Sequence, residues 1–242
     1  MGDRDALGTH AFDLSQGSPQ GLISQDMLYR AWYSGVVEEY SKRQLTYGRN
    51  KLVAISALAE VFRMICQGDY IAGIWRESLM DGLRWRRSGS GKKSSSYRCP
   101  SWSWASQDSA VRYNFSQDGI APDASIISVE ARADLHSRYE AVTSGSLTLR
   151  AALLSAIVKR DRTFTWGYEM RLGLGDELAV DAEMDNNDLV VKHVHCAYLG
   201  LDHFDGVVLI LEHDRQENTY QQIGYSERII GVYVYVNSVP LP

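Results

Sequence analysis

The stretch YRCPSWSWAS, residues 97–106, carries the strongest local signal in the chain. Pro100 biases the backbone of Cys99 toward extended angles, and the tryptophan–serine alternation predicts a short strand with Trp102 and Trp104 on one face. Two indole rings on one face bury a large apolar area. The pattern favours an aromatic staple that fixes the strand against helices over a stacking platform for a sugar or a base.

Two further blocks precede this stretch in a definite order. They are Trp32, Val37, Glu39, Tyr40, Ser41, Arg43, Leu45 and Thr46 followed by KLVAISALA at 51–59, and then YIAGIW at 70–75. Together the three blocks resemble the region just downstream of the conserved domain in fungal heterokaryon incompatibility (HET) domain proteins. The resemblance covers residues 31–106 and is looser around 206–209 and 220–224. The chain departs from the family pattern at Asn50, Ala57, Ile74 and Cys99.

This resemblance implies a role in fungal non-self recognition and in the programmed cell death that follows fusion of incompatible partners. The HET domain is similar to TIR-like domains, some of which cleave NAD, but its "LSYcWG"-like and "WIDslCIdQ"-like motifs do not occur in this sequence. Any such catalysis would belong to that domain. We therefore expect a truncated gene model, a degenerate paralogue or a stand-alone module.

The resemblance carries over no catalytic, cofactor-binding or metal-binding residue, and we expect no cofactor. Seven positions match the family and are expected to be structural or interface residues: Trp32, Tyr40, Arg43, Trp75, Pro100, Trp102 and Trp104. The expected partner is another protein or the missing HET domain.

The composition is that of an ordinary globular protein, with 45% hydrophobic residues, 23% charged residues and a net charge of −5 over 242 residues. A chain of this length can bury a core for one large domain or two packed subdomains. The mild acidity argues against nucleic-acid binding. The basic residues Arg84, Arg86, Arg87, Lys92 and Lys93 are expected to lie in one loop and its approach.

The cysteines and the apolar runs indicate the cellular environment. Cys66, Cys99 and Cys196 are far apart and odd in number, which argues against a disulfide framework and favours a reducing compartment. No apolar run approaches the length of a membrane span. The sequence therefore predicts a cytoplasmic protein that does not enter a membrane.

Hydrophobic periodicity predicts an α+β fold, with a helical N-terminal third packed on a β-rich, antiparallel sandwich or barrel-like C-terminal part. The expected division is a flexible arm at 1–25, a helical region at 26–86, a flexible loop at 87–97 and a β-rich region at 98–242. Three helices are predicted: one from Ser24 or Asp26 to about Tyr40, one over 51–66 and one over 71–85. The second should bury Leu52, Ile55, Leu58, Ala59, Phe62 and Ile65. Strands are predicted at 111–115, 126–133, 146–154, 164–172, 190–201, 206–212 and 220–236.

Motifs for chemistry are weak. Gly91-Lys92 lacks the other residues of a phosphate-binding loop. His193 and His195 would project from one face of a strand, but a zinc site needs three or four ligands, and His203 or His213 could complete one only by chance of folding. The pattern favours two solvated strand histidines. The acidic residues between 176 and 185 are predicted to form a solvated loop, and Glu39 is predicted to pair with Arg43 one helical turn on.

Three classes of function stay open. The first is an interaction or regulatory module of a HET-like protein, with an exposed aromatic patch for its partner or its missing domain. The second is an enzyme, NAD-cleaving or hydrolytic, with a pocket between the helical and β-rich parts. The third is a ligand-binding β-domain that uses Trp102 and Trp104 as a stacking surface.

Overall fold

The computed structural model describes residues 23–43, 45, 47–88, 97–116, 120–133, 142–163, 168–172, 178–184, 191–202 and 205–229. Within them the protein is mixed α+β, as predicted. Most of the predicted arm at 1–25 and the centre of the predicted loop at 87–97 lie outside the described residues, as do Lys92, Lys93 and His203.

The described helices are α1 (Gln25–Ala31), α2 (Glu38–Ser41), α3 (Lys51–Cys66) and α4 (Leu79–Gly82), and a π-helical segment, Trp32–Val37, joins α1 to α2. Ser24 begins α1, because its hydroxyl oxygen accepts a hydrogen bond from the Met27 backbone N–H at 3.2 Å. Helix α3 has the predicted bounds and ends where Gln67 adopts a left-handed conformation, with φ of 54°.

The predicted third helix is wrong. Residues 70–75 form a two-stranded hairpin, β1 (Tyr70–Ile71) and β2 (Ile74–Trp75), followed by a 3-10 turn and the short α4. Ala72 and Gly73 both have positive φ, 48° and 96°, as a two-residue type I′ turn requires. The N-terminal third is therefore a mixture of short helices and a hairpin.

The remaining strands are all antiparallel. They are β3 (Arg86–Ser88), β4 (Ala110–Arg112), β5 (Ile120–Pro122), β6 (Ser125–Ala133), β7 (Val142–Arg150), β8 (Ala152–Arg160), β9 (Tyr168–Leu172), β10 (Leu178–Met184), β11 (Val191–Asp202), β12 (Asp205–Asp214) and β13 (Thr219–Ile229). Strands β3 and β4 form one pair, and β6 and β7 form another.

Six strands close into a ring in the order β8–β9–β10–β13–β12–β11, because β11 pairs with both β8 and β12. Strand β5 adds to one end of β11. The alternation of side chains then divides β11 between two cores. Val194, Cys196 and Tyr198 pack inside the ring, whereas Ala197 and Leu199 pack against the helices and the aromatic stretch.

Two predictions for the β-rich part need correction. The single strand predicted at 146–154 is two strands, β7 and β8, separated at Ala151. The acidic segment predicted as a loop contains β10, so the backbones of Asp181 and Glu183 pair with neighbouring strands. The sequence interpretation gave the acidic residues more weight than the apolar–polar alternation from Val180 to Met184, which has the period of a strand.

Candidate functional site

The aromatic stretch closes over the tip of the β1–β2 hairpin. The Ser103 hydroxyl donates a hydrogen bond to the Ala72 carbonyl at 2.6 Å, and the Trp104 indole Nε1 donates to the Gly73 carbonyl at 2.7 Å. Both acceptors belong to the type I′ turn. The YIAGIW and YRCPSWSWAS blocks are therefore neighbours in space and hold each other in place.

The predicted strand for the aromatic stretch is wrong. The Ser103 backbone N–H donates to the Pro100 carbonyl at 3.0 Å, and a 3-10 turn follows at Trp104–Ser106. The two indoles therefore do not share a strand face. Trp102 is 7% exposed and Trp104 is 0% exposed, so neither ring offers a free face for stacking a sugar or a base.

Tyr40 and Lys51 complete the surroundings of Trp104. The Tyr40 hydroxyl donates to the Lys51 carbonyl at 2.6 Å, and its ring meets the Trp104 ring edge-on at 6.0 Å. The Lys51 ammonium donates to the Gln107 carbonyl at 2.6 Å and lies 5.3 Å from the centre of the Trp104 ring. Burial lowers the pKa of Lys51 to about 8.

The other residues expected from the sequence to be structural or interface residues occupy different environments. Trp32 and Trp75 are buried and meet edge-on at 5.5 Å, within a cluster that includes Phe62 and Tyr70. Pro100 is buried against Gly145 of β7, where an added Cβ would come within 2.5 Å of the proline ring. Arg43 is exposed. Glu39 pairs with Lys42 at 2.5 Å, so the predicted pairing with Arg43 is wrong.

A buried ion pair connects the helical part to the ring. Arg84 is fully buried, and its guanidinium bonds to the Asp202 carboxylate at the end of β11 and to the Asn114 carbonyl at 2.8 Å. Burial alone would raise the pKa of Asp202, but hydrogen bonds from Ser116 and Arg84, and the Arg84 charge, lower it below its ordinary value. The basic residues were predicted to lie in one loop and its approach, but Arg86 and Arg87 belong to strand β3, and Arg84 is buried in this ion pair.

A cleft of about 740 Å³ lies between the aromatic stretch, β7 and the start of β13. Its walls come from residues 97–102 and Ser106, from 145–149 and from 218–221. Tyr97 and Tyr220 are the two ring systems that reach solvent there, 60% and 41% exposed. The cleft size falls in the range of ordinary ligand sites.

The described part of the cleft wall offers few groups for acid–base or nucleophilic catalysis. Among the described lining residues, none is a carboxylate or a histidine. Burial raises the pKa of the Cys99 thiol to about 11, which opposes a reactive thiolate. Arg98 is committed elsewhere, since its guanidinium donates to the Gly48 carbonyl at 3.0 Å and to Asp108 at 2.5 Å.

The histidines predicted to share a strand face both lie on β11, but the described residues bring no third metal ligand to them. His195 instead meets His213 edge-on at 6.1 Å, and His213 stacks on Tyr220 at 4.8 Å. The His213 Nε2 lies 3.3 Å from the Asn218 side-chain oxygen. This aromatic group supports the cleft wall at Tyr220.

One face of α3 is apolar and exposed, which the sequence interpretation missed. Leu58 and Ile65 were predicted to be buried, but they are 55% and 63% exposed. Together they form part of what we call the α3 stripe: Ala54, Ala57, Leu58, Val61, Met64 and Ile65. The spacing of these residues follows the helical period, so they line a single face. Apolar periodicity alone could not separate this face from the buried one.

Comparison of the chain with models of known protein families, with curated proteins and with solved structures gives no match. No helix in the described part of the chain is long and apolar enough to cross a membrane.

Proposed function

We propose that this chain is the interaction and regulatory region of a HET-like protein that acts in fungal non-self recognition and programmed cell death. The α3 stripe is its docking surface, and a HET-like domain is the occupant. The observation that carries the proposal is the exposure of this stripe. A continuous apolar helix face in water is unfavourable, and such faces mark protein interfaces.

The position of the stripe fits this occupant. The resemblance places the HET domain on the N-terminal side of the matched blocks. The described chain enters at Ile23, beside the C-terminal end of α3, because the Gln25 side chain donates to the Cys66 carbonyl at 2.9 Å. Ile23 and Met27 are themselves exposed. A domain that precedes this point in the chain, or that binds in trans, would meet the stripe directly.

The edge of the stripe also resembles the rim of an interface. Glu60 and Arg63 form an ion pair at 2.7 Å on the same helix, and both side chains are partly exposed. Polar rims around apolar centres are the usual anatomy of protein interfaces. Because Glu60 and Arg63 neutralise each other, binding to the stripe does not require a charged surface on the partner.

The test is co-elution of the purified chain with a HET domain supplied in trans, measured by size-exclusion chromatography with light scattering. Leu58→Glu and Met64→Glu should each reduce binding at least tenfold. Ile127→Glu is the matched control, because Ile127 is 56% exposed on β6, outside the stripe. The proposal fails if the HET domain does not bind, or if all three variants bind alike. It also fails if two copies of the chain dimerise through the stripe and Leu58→Glu dissociates that dimer.

A further inference from the structure

The cleft between the aromatic stretch, β7 and β13 is a second candidate site, formed by residues separate from the α3 stripe and independent of the function proposed above. Five consecutive residues of β7, 145–149, line it. Side chains alternate across a strand, so a cleft over one face would contact every second residue. A run of consecutive residues indicates that the cleft lies along the edge of the strand.

That edge of β7 is unpaired among the described strands. Strand β7 pairs with β6 over most of its length, and the two form a sheet of their own. An unpaired edge presents a row of backbone N–H and C=O groups that can accept another strand. Residues 145–149 extend over about 17 Å, which matches an extended segment of five residues.

The start of β13 presents a second open edge to the same cleft. Strand β13 pairs with β12 from Thr219 onward, but its pairing with β10 involves only Gly224 and Tyr225. The Gln222 backbone N–H points away from β12, since it donates to the Ser101 hydroxyl at 3.1 Å. The N–H and C=O of Tyr220, two residues earlier on the same strand, therefore point toward the cleft as well.

The cleft wall favours an uncharged occupant. Arg98 is the one charged residue among the described lining residues, and its guanidinium is already bound to Asp108 and to the Gly48 carbonyl. The other polar lining groups are hydroxyls and amides. The exposed rings of Tyr97 and Tyr220 add flat apolar surface for side chains of the bound segment.

We propose that this cleft binds an uncharged, extended segment of a partner polypeptide by strand addition to the free edge of β7. The backbone of the segment pairs with residues 145–149, and its alternate side chains contact Tyr97 and Tyr220. Backbone pairing supplies affinity, and the tyrosines select β-branched or aromatic side chains over charged ones.

The first experiment selects binders from a phage-displayed random heptapeptide library on the full chain, followed by affinity measurement of the best synthetic peptide by isothermal titration calorimetry. The selected peptides should be uncharged and rich in β-branched and aromatic residues. Tyr97→Ala and Tyr220→Ala should each weaken binding at least tenfold. Tyr47→Ala is the matched control, because Tyr47 is 62% exposed outside the cleft, and it should bind as the unmodified chain does.

Backbone N-methylation of that peptide tests the strand geometry itself. Methylating one set of alternate backbone nitrogens should abolish binding, because the N–H groups of that set face β7. Methylating the other set should change the affinity by no more than about twofold. An equal loss of affinity for both sets overturns strand addition. Failure to enrich any peptide, selection of charged peptides, or binding that survives both tyrosine substitutions overturns the proposal. The proposal is also overturned if a neutral oligosaccharide binds at Tyr97 and Tyr220 and no peptide does. It is overturned as well if the chain forms a dimer through this cleft and Tyr220→Ala dissociates that dimer.

Discussion

The indole N–H of Trp104 donates to the carbonyl of Gly73 at 2.7 Å, across thirty-one residues of sequence. This bond joins the last of the three matched blocks to the hairpin of the block before it. Tyr40, from the first block, packs on the same indole. The three sequence blocks are therefore parts of one packed core.

Replacing Trp104 with phenylalanine should destabilise the protein by more than the same change at Trp75. Both indoles are fully buried, but the Trp75 Nε1 has no hydrogen-bonding partner among the described residues. Trp104→Phe leaves the Gly73 carbonyl without its donor, which costs about 1–2 kcal/mol beyond the lost packing. Urea denaturation followed by circular dichroism measures the difference, and equal losses in the two variants would show that the bond contributes nothing.

Gly73→Ala should be more damaging than its small size suggests. Gly73 has φ of 96°, and an added Cβ would lie 2.8 Å from the Trp104 Nε1. Backbone strain of this kind costs about 1–3 kcal/mol, and the clash adds to it. Gly35→Ala is the control, because nothing lies within 4 Å of the added Cβ there. Thermal unfolding should give a lower Tm for Gly73→Ala and an unchanged or higher one for Gly35→Ala.

The same turn shows where sequence-based prediction stops. The bounds of α3 could be predicted, because the helical period is a local property and Gly68 follows its last periodic residue, although the left-handed residue that ends the helix is Gln67. The β1–β2 hairpin could not, because its turn at Ala72 and Gly73 is held by Ser103 and Trp104, which lie far along the chain. At this turn a tertiary contact determines the backbone conformation, and helix propensity and helical period do not.

Burial and pairing across the fold were equally beyond local patterns. The sequence predicts Arg84 in a basic cluster at the approach to a loop, but its side chain is buried against Asp202, 118 residues away. Leu58 continues the apolar period of α3, yet it faces outward because the aromatic cluster occupies the opposite side of the helix. The cleft was hidden for the same reason, since its walls come from three separate segments.

The Arg84–Asp202 pair should make stability depend on acid pH. The pKa of Asp202 is lower in the folded protein than in the unfolded chain, where it is about 3.9. Its contribution is therefore complete above that value and is lost as the pH falls through the folded pKa. Asp202→Asn should reduce the dependence of the unfolding free energy on pH, measured by urea titration between pH 2.5 and 5. An unchanged pH dependence would contradict the assignment.

Breaking the pair from the other side should be more costly. Arg84→Met leaves Asp202 as a partly buried carboxylate with its Ser116 hydrogen bonds but without the Arg84 charge, and losses of about 3–5 kcal/mol are typical of breaking a buried pair from one side. The double variant Arg84→Met/Asp202→Leu should recover most of that loss, because an apolar pair has no charge to desolvate. A double variant no more stable than Arg84→Met would mean that Arg84 acts mainly through its packing on Phe115 and its bond to the Asn114 carbonyl.

Lys51 should also make stability rise with pH, but in the alkaline range. Burial lowers its pKa to about 8 in the folded protein, whereas the unfolded value is about 10.4. The unfolded chain therefore holds more protons in this window, and the free energy of unfolding rises with pH. Between pH 7 and 9 the protein should gain about 1.4 kcal/mol relative to Lys51→Met, which corresponds to one pKa unit of differential protonation.

The comparison with Lys51→Met is necessary because other groups titrate nearby. Burial raises the pKa of Cys99 to about 11 and that of Cys196 to about 12, so both thiols lower stability as the pH rises above their unfolded values. The Lys51 charge lowers the pKa of Cys99, but between pH 7 and 9 both thiols stay protonated in the folded protein, so their effect largely cancels in the difference. Lys42→Met is the control, because Lys42 is exposed and its pKa is raised by Glu39. Chemical denaturation at each pH should show divergence for Lys51→Met alone. Parallel curves for Lys51→Met and the unmodified chain would mean that the lysine keeps its proton over the Trp104 ring.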